Sequence, residues 1–121
     1  MRIAVALSAL VVVAGAVLAP SLALADGVVV FQGRCASCHT VTGKSGPAGP
    51  SLKGVAGRKL AGANDYSYSA GLRAKGGVWS DAALDAFLSG PSRYAPGTKM
   101  FAAVSAPADR VAIIAYLNTL H

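Results

Sequence analysis

The sequence predicts a small all-α domain threaded by long loops. Three observations carry this. Apolar residues recur at helical spacing near Trp79–Leu88 and again towards the C-terminus. No stretch keeps the alternation of a strand. Between Thr40 and Ala63 the chain is rich in Gly, Pro, Ser and Lys, and helical periodicity is lost.

The N-terminal residues stand apart. Arg2 is the only charge before Asp26, and the apolar run between them ends in Ala23-Leu24-Ala25. A basic start, an apolar middle and a small-x-small end predict a secretory signal peptide over residues 1–25, cleaved after Ala25. The rival reading is a retained membrane anchor facing the periplasm, since Ile3–Ala19 is near the lower limit for a span. Pro20 and the missing basic stop-transfer cluster favour cleavage. The expected product is one domain, residues 26–121, located in the periplasm. Without Arg2 it has ten basic residues against five aspartates, a net charge of +5. That balance suits an acidic partner or transient contact with an anionic membrane surface. An exported chain with no basic run longer than two residues is a poor nucleic-acid binder.

In the processed chain Asp26 is placed to cap a first helix over Gly27 to Arg34, with Val28, Phe31 and Cys35 on one face. The long loop from Thr40 needs a function or a template to hold it. Residues 67–74 read as a short helix. Ser80 caps a clearer one, whose apolar face is Leu84, Phe87 and Leu88 and whose end is Gly90-Pro91. "RYAPGTKM" reads as extended. The last helix spans about Pro107 to Leu120, with Pro in its first turn and a stripe of Arg110, Ile113, Ile114 and Leu117.

The stretch with chemistry is "CASCH", residues 35–39. Cys35 and Cys38 are the only cysteines, and the only other histidine is His121. That is too few ligands for a four-coordinate zinc site. A redox Cys-x-x-Cys belongs in a strand-helix-strand context that is missing here. A disulfide three residues apart closes a small, strained loop. Covalent haem attachment remains, one thiol to each vinyl group, with His39 placed to ligate iron.

After leader removal the one methionine is Met100, in the glycine-bearing "PGTKM". A thioether opposite histidine is common in electron carriers and raises the potential. The competing reading makes Met100 a core filler. His121 is a rival ligand by chemistry, and Lys99 competes only when deprotonated at high pH.

Together the blocks "GVVVFQGRCASCHTV", "GPSLKGVAGRK", "YSYSAG…W", "YAPGTKM" and "RVAIIAYL" resemble class I cytochrome c, close to the mitochondrial type and its bacterial periplasmic relatives. The likeness spans nearly all of Gly27–Leu120. It implies terminal helices that cross, and long loops wrapped around one covalently bound haem c. Cys35 and Cys38 would attach the haem, and His39 and Met100 would ligate its iron. Pro50 would offer its carbonyl to the His39 ring. Arg58, Tyr68 and Trp79 would hold the propionates, although each also suits an ordinary loop or core position. Gly27, Phe31 and Tyr116 would form the helix crossing.

The implied function is that of a monomeric, soluble one-electron carrier between periplasmic or membrane redox complexes. It is not that of an enzyme. Partners would be an oxidase, reductase, dehydrogenase or reaction centre with an acidic docking surface, met by Arg34, Lys53, Arg93 and Lys99. A peroxidase-like enzyme or a gas sensor would need an iron position that Met100 does not fill. Leu72, Phe87 and Ala102 depart from the mitochondrial pattern, where Asn, Tyr and an aromatic stand. These changes remove polar groups and one shielding ring.

Overall fold

Five helices order the chain: α1 (Ala19–Arg34), α2 (Ala70–Lys75), α3 (Asp81–Ser89), α4 (Pro91–Tyr94) and α5 (Pro107–Leu117). The structure, a computed structural model, describes residues 9–12, 15 and 19–121. Residues 1–8, 13, 14 and 16–18 of the expected leader lie outside the described residues.

Helix α1 begins earlier than the sequence suggests, and Asp26 lies inside it rather than capping it. Leu22, Ala23, Leu24 and Ala25 are strong helix formers and continue the backbone ladder upstream. Pro20 is tolerated because it falls in the first turn. Phe31 is buried as expected, but Val28 is exposed; Val30 packs on the core instead.

α1 and α5 cross closely at Gly27. A Cβ there would collide with the carbonyl oxygen of Ala112 and lie 2.9 Å from Tyr116 Cβ, so only glycine admits this approach. Phe31 and Tyr116 meet edge to face beside the crossing, with centroids 5.1 Å apart. Such a pair adds about 0.5–1.5 kcal/mol beyond burial. The α5 stripe holds: Ile113 is 1% exposed, and Ile114 and Leu117 are buried with it. Leu84 and Leu88 of α3 complete this layer.

The cap expected at Ser80 is present, and Ser69 supplies a further one that the sequence reading did not name. Ser80 Oγ accepts from Ala83 N–H at 3.1 Å and Ser69 Oγ from Leu72 N–H at 3.2 Å. Residues 67–69 are not helical and Ser69 is extended, so α2 begins later than the expected 67–74 helix and ends at Lys75. "RYAPGTKM" is only partly extended. Pro91–Tyr94 make one helical turn, since Pro at its first position presets φ.

Among the described residues the only strand-like pairing is an antiparallel bridge between Lys59 and Val78. Around it Trp79 N–H donates to Arg58 O and Gly57 N–H to Trp79 O, both at 2.8 Å. This bridge fixes Arg58 beside Trp79. The long loop is also tied to the chain end, where Gly54 N–H donates to Leu120 O at 2.7 Å.

Candidate cofactor site

The loops and helices enclose a cavity of about 500 Å³. Its wall includes Cys35, Cys38, His39, Pro50, Arg58, Tyr68, Trp79 and Met100, so the residues expected to hold the haem line one space. His121 is exposed and lies outside that lining.

The Cys-x-x-Cys-His segment continues α1 as tight turns. Cys35 N–H donates to Phe31 O at 2.8 Å, and His39 N–H donates to Cys35 O at 2.9 Å. Cys35 is half-buried and Cys38 exposed, and the two are not joined to each other. Burial pushes the Cys35 thiol above its ordinary pKa, against an opposing pull from Arg34.

The His39 ring is held by its neighbours. Its Nδ1 lies 2.8 Å from Pro50 O. A carbonyl can only accept, so Nδ1 carries a proton, and in the neutral ring the lone pair then falls on Nε2. Gly49 packs against the ring: a Cβ there would come within 2.8 Å of Cε1 and 2.9 Å of Nδ1.

Met100 sits after a turn fixed by three features. Gly97 has φ 82°, Thr98 N–H donates to Ala95 O at 3.0 Å, and Met100 N–H donates weakly to Thr98 Oγ1 at 3.4 Å. Lys99 Nζ donates to Ser67 O at 2.5 Å, tying this loop to the Tyr66–Tyr68 segment.

Arg58 supplies the test of fit. Its Nη1 and Nη2 donate to Ser51 O at 3.3 and 3.2 Å, but Nε is buried with no partner. A buried donor left unpaired costs about 1–3 kcal/mol. A carboxylate-bearing occupant of the cavity would satisfy it. Tyr68 OH accepts from Ala63 N–H at 3.1 Å, which leaves its own proton free to donate. A largely apolar cavity of this volume with a few cationic and phenolic donors suits a flat apolar ring with acidic edges. The residues present therefore fit a haem.

Leu72 and Phe87 also line the cavity, and Phe87 packs on Trp79 and Tyr94 with centroids 5.1 and 5.8 Å away. Ala102 lines it from an exposed position. Of the expected basic rim, Arg34 and Lys99 border the cavity, while Lys53 and Arg93 lie outside the lining. Arg93 folds back over Gly90, whose ideal Cβ would lie 2.8 Å from its Nη2.

Sequence reasoning missed four neighbours. Gly49 was findable as the residue before Pro50. Gly71, whose Cβ would collide with Pro96 O, gave no local signal because its partner is distant in sequence. Tyr66 stands edge to face with Tyr68 at 5.0 Å. Phe101 borders the cavity yet is 82% exposed.

A family model described as cytochrome c matches residues 24–121. Among similar proteins is the cytochrome c of Theileria parva. It is 47% identical over 94 residues, covering 76% of this chain and 81% of that protein. A cytochrome c homolog of Rickettsia bellii is 51% identical over 89 residues, covering 71% of this chain. The match covers 51% of that relative, so the chain spans about half its length. The solved structure of cytochrome cH from Methylobacterium extorquens superposes with a TM-score of 0.73 at 42% identity. It covers 79% of this chain and 97% of that one.

Proposed function

The chain belongs to the cytochrome c family, a family of haem electron carriers rather than enzymes, and on that premise we propose an exported one-electron carrier with His39 and Met100 as iron ligands. The observation that carries the ligand reading is the His39–Pro50 bond within the cavity that Met100 also lines.

When bound, haem supplies a one-electron ferrous–ferric couple. The protein's part is to attach, orient and shield. Cys35 and Cys38 hold the group through their thiols. The Pro50 carbonyl keeps the His39 proton on Nδ1, presents Nε2 to the metal and raises its basicity. Met100 offers a soft thioether from a loop anchored by Thr98 and Lys99. A neutral sulfur donor in an apolar site favours the reduced state. Arg58, Tyr68 and Trp79 hold the acidic edge, with Arg58 Nε as the donor in need of a partner.

Charge supports the partner class. Arg34, Arg58 and Lys99 line the cavity, and among the described residues no carboxylate does. Docking through that lip fits a redox protein with an acidic surface. Residues 1–25 are the proposed leader, and Ala25 and Asp26 at its boundary are exposed. No helix among the described residues is long and apolar enough to cross a membrane.

Mass spectrometry and an absorption spectrum test this together. The expected mass is the polypeptide from Asp26 plus one haem. The oxidised protein should show the weak red band of thioether-ligated ferric haem. Met100→Leu should lose that band, and its reduced form should bind carbon monoxide. Oxidation by an acidic partner should slow steeply as salt rises. A colourless protein, or a parent that binds carbon monoxide readily, would overturn the reading.

A further inference from the structure

The loop that carries Pro50 is fastened by a chain of polar contacts leading away from the cavity. Asp65 is its outer end. Ser45 N–H donates to Asp65 Oδ2 at 2.8 Å, and Ser45 Oγ–H donates to Oδ1 at 2.5 Å. The same Ser45 Oγ accepts from Ser51 N–H at 3.0 Å. Ser51 is 3% exposed. Its Oγ accepts from Gly43 N–H at 3.0 Å, and its carbonyl accepts both Arg58 donors. Pro50 directly precedes it and holds the His39 ring.

Ser45 and Asp65 are twenty residues apart, so their contact joins two otherwise separate loops. Every other link in the series lies within the 39–58 segment. Remove Asp65, and Ser45 loses the acceptor for both its N–H and its hydroxyl. The loop around Ser51 then keeps its backbone ties, Leu52 N–H to Thr40 O at 2.8 Å and Gly54 N–H to Leu120 O at 2.7 Å, without this outer side-chain anchor.

We propose that Asp65 is a positioning residue: through Ser45 and Ser51 it fixes the Pro50 carbonyl against His39 and the Arg58 guanidinium at the cavity wall. This rests on the reading of His39 as the iron ligand. The clamp needs an ionised carboxylate, because each oxygen accepts one bond. The hydroxyl and then the N–H of Ser45 hold the Asp65 pKa below its ordinary value, and Arg58 pulls it the same way. Ser45 itself carries no charge, and neighbouring Lys44 is exposed and makes no ion pair with Asp65 among the described residues. A depressed pKa means the contribution is present above the unfolded value of about 4 and is lost as pH falls through the folded one. The clamp is thus closed at neutral pH and opens only in acid.

The experiment compares holoprotein carrying Asp65→Asn, Ser45→Ala or Ser45→Thr with the parent. Three readouts apply: proton NMR of the His39 ring in the ferric state, amide hydrogen exchange at Ser45 and Ser51, and the acid midpoint of the visible spectrum. Asp65→Asn and Ser45→Ala should shift the His39 ring signals and speed exchange about three- to tenfold. They should also raise the acid midpoint. Ser45→Thr keeps both donors and should restore parental behaviour. If Asp65→Asn and Ser45→Ala match the parent in all three, the clamp does not exist. If exchange and midpoint move but the His39 signals do not, Asp65 only stabilises the loop and the positioning role is overturned. A parent without the histidine–methionine spectrum would instead remove the ligand reading, and the role argued for Asp65 with it.

Discussion

Replacing Gly71 by alanine should loosen the methionine loop from a distance. Gly71 lies in the first turn of α2, and an added Cβ collides with the carbonyl oxygen of Pro96. The obstacle is backbone, so no rotamer change relieves it. Nor can the segment slide inward: Ala95 is buried and its backbone is bonded to Pro91 O and Thr98 N–H. The remaining escape moves residues 95–98 outwards, and Met100 follows two residues later. Overpacking of this kind costs about 1–3 kcal/mol. Alanine recovers up to about 1 kcal/mol of helix propensity over glycine. With that gain taken in full the net loss is about 0–2 kcal/mol, or up to about 16 °C in Tm for a domain of this size. Thermal unfolding of the oxidised holoprotein, followed both by far-ultraviolet circular dichroism and in the red thioether band, is the assay. The red band should vanish at a lower temperature than the helical signal. An equally stable Gly71→Ala variant whose two signals disappear together would refute the argument.

Other perturbations follow from the same contacts. Gly27→Ala pushes a methyl into Ala112 O and should cost about 1–3 kcal/mol by denaturant titration. Arg110, whose side chain is 13% exposed, donates to Asp85 at 2.7 Å and to the carbonyls of Val104 and Ser105. Arg110→Ala should therefore cost about 1.5–3 kcal/mol. Asp85→Asn, at a half-exposed position, should cost under about 1 kcal/mol by the same titration. Phe101→Ser should slow electron exchange with a protein partner about fivefold at high salt, where an apolar anchor of about 1 kcal/mol is no longer masked by charge attraction. Its reduction potential by voltammetry should stay at the parental value.

Legibility in the sequence followed the range of the interaction. Caps at Ser80 and the α5 stripe depend on neighbours three or four residues away, and both were readable. The attachment motif was readable because its spacing is itself the chemistry. Helix α1 was misjudged at its start because Asp26 was read as the first residue of a processed chain, whereas the whole chain continues the ladder to Ala19. The turn at Pro91–Tyr94 was hidden by a proline that ends one helix and starts the next. Gly71 against Pro96 and Ser45 against Asp65 join residues twenty or more apart, and no local pattern encodes either.

The crossing of α1 on α5 has a consequence for how the molecule is made. It pairs Gly27 with Ala112, on helices far apart in the sequence, so the domain cannot close until α5 is free to pack on α1. Closing so long a span carries a high entropic barrier. Until then both thiols just beyond α1 stand open, and the closed domain half-buries Cys35 while leaving Cys38 exposed.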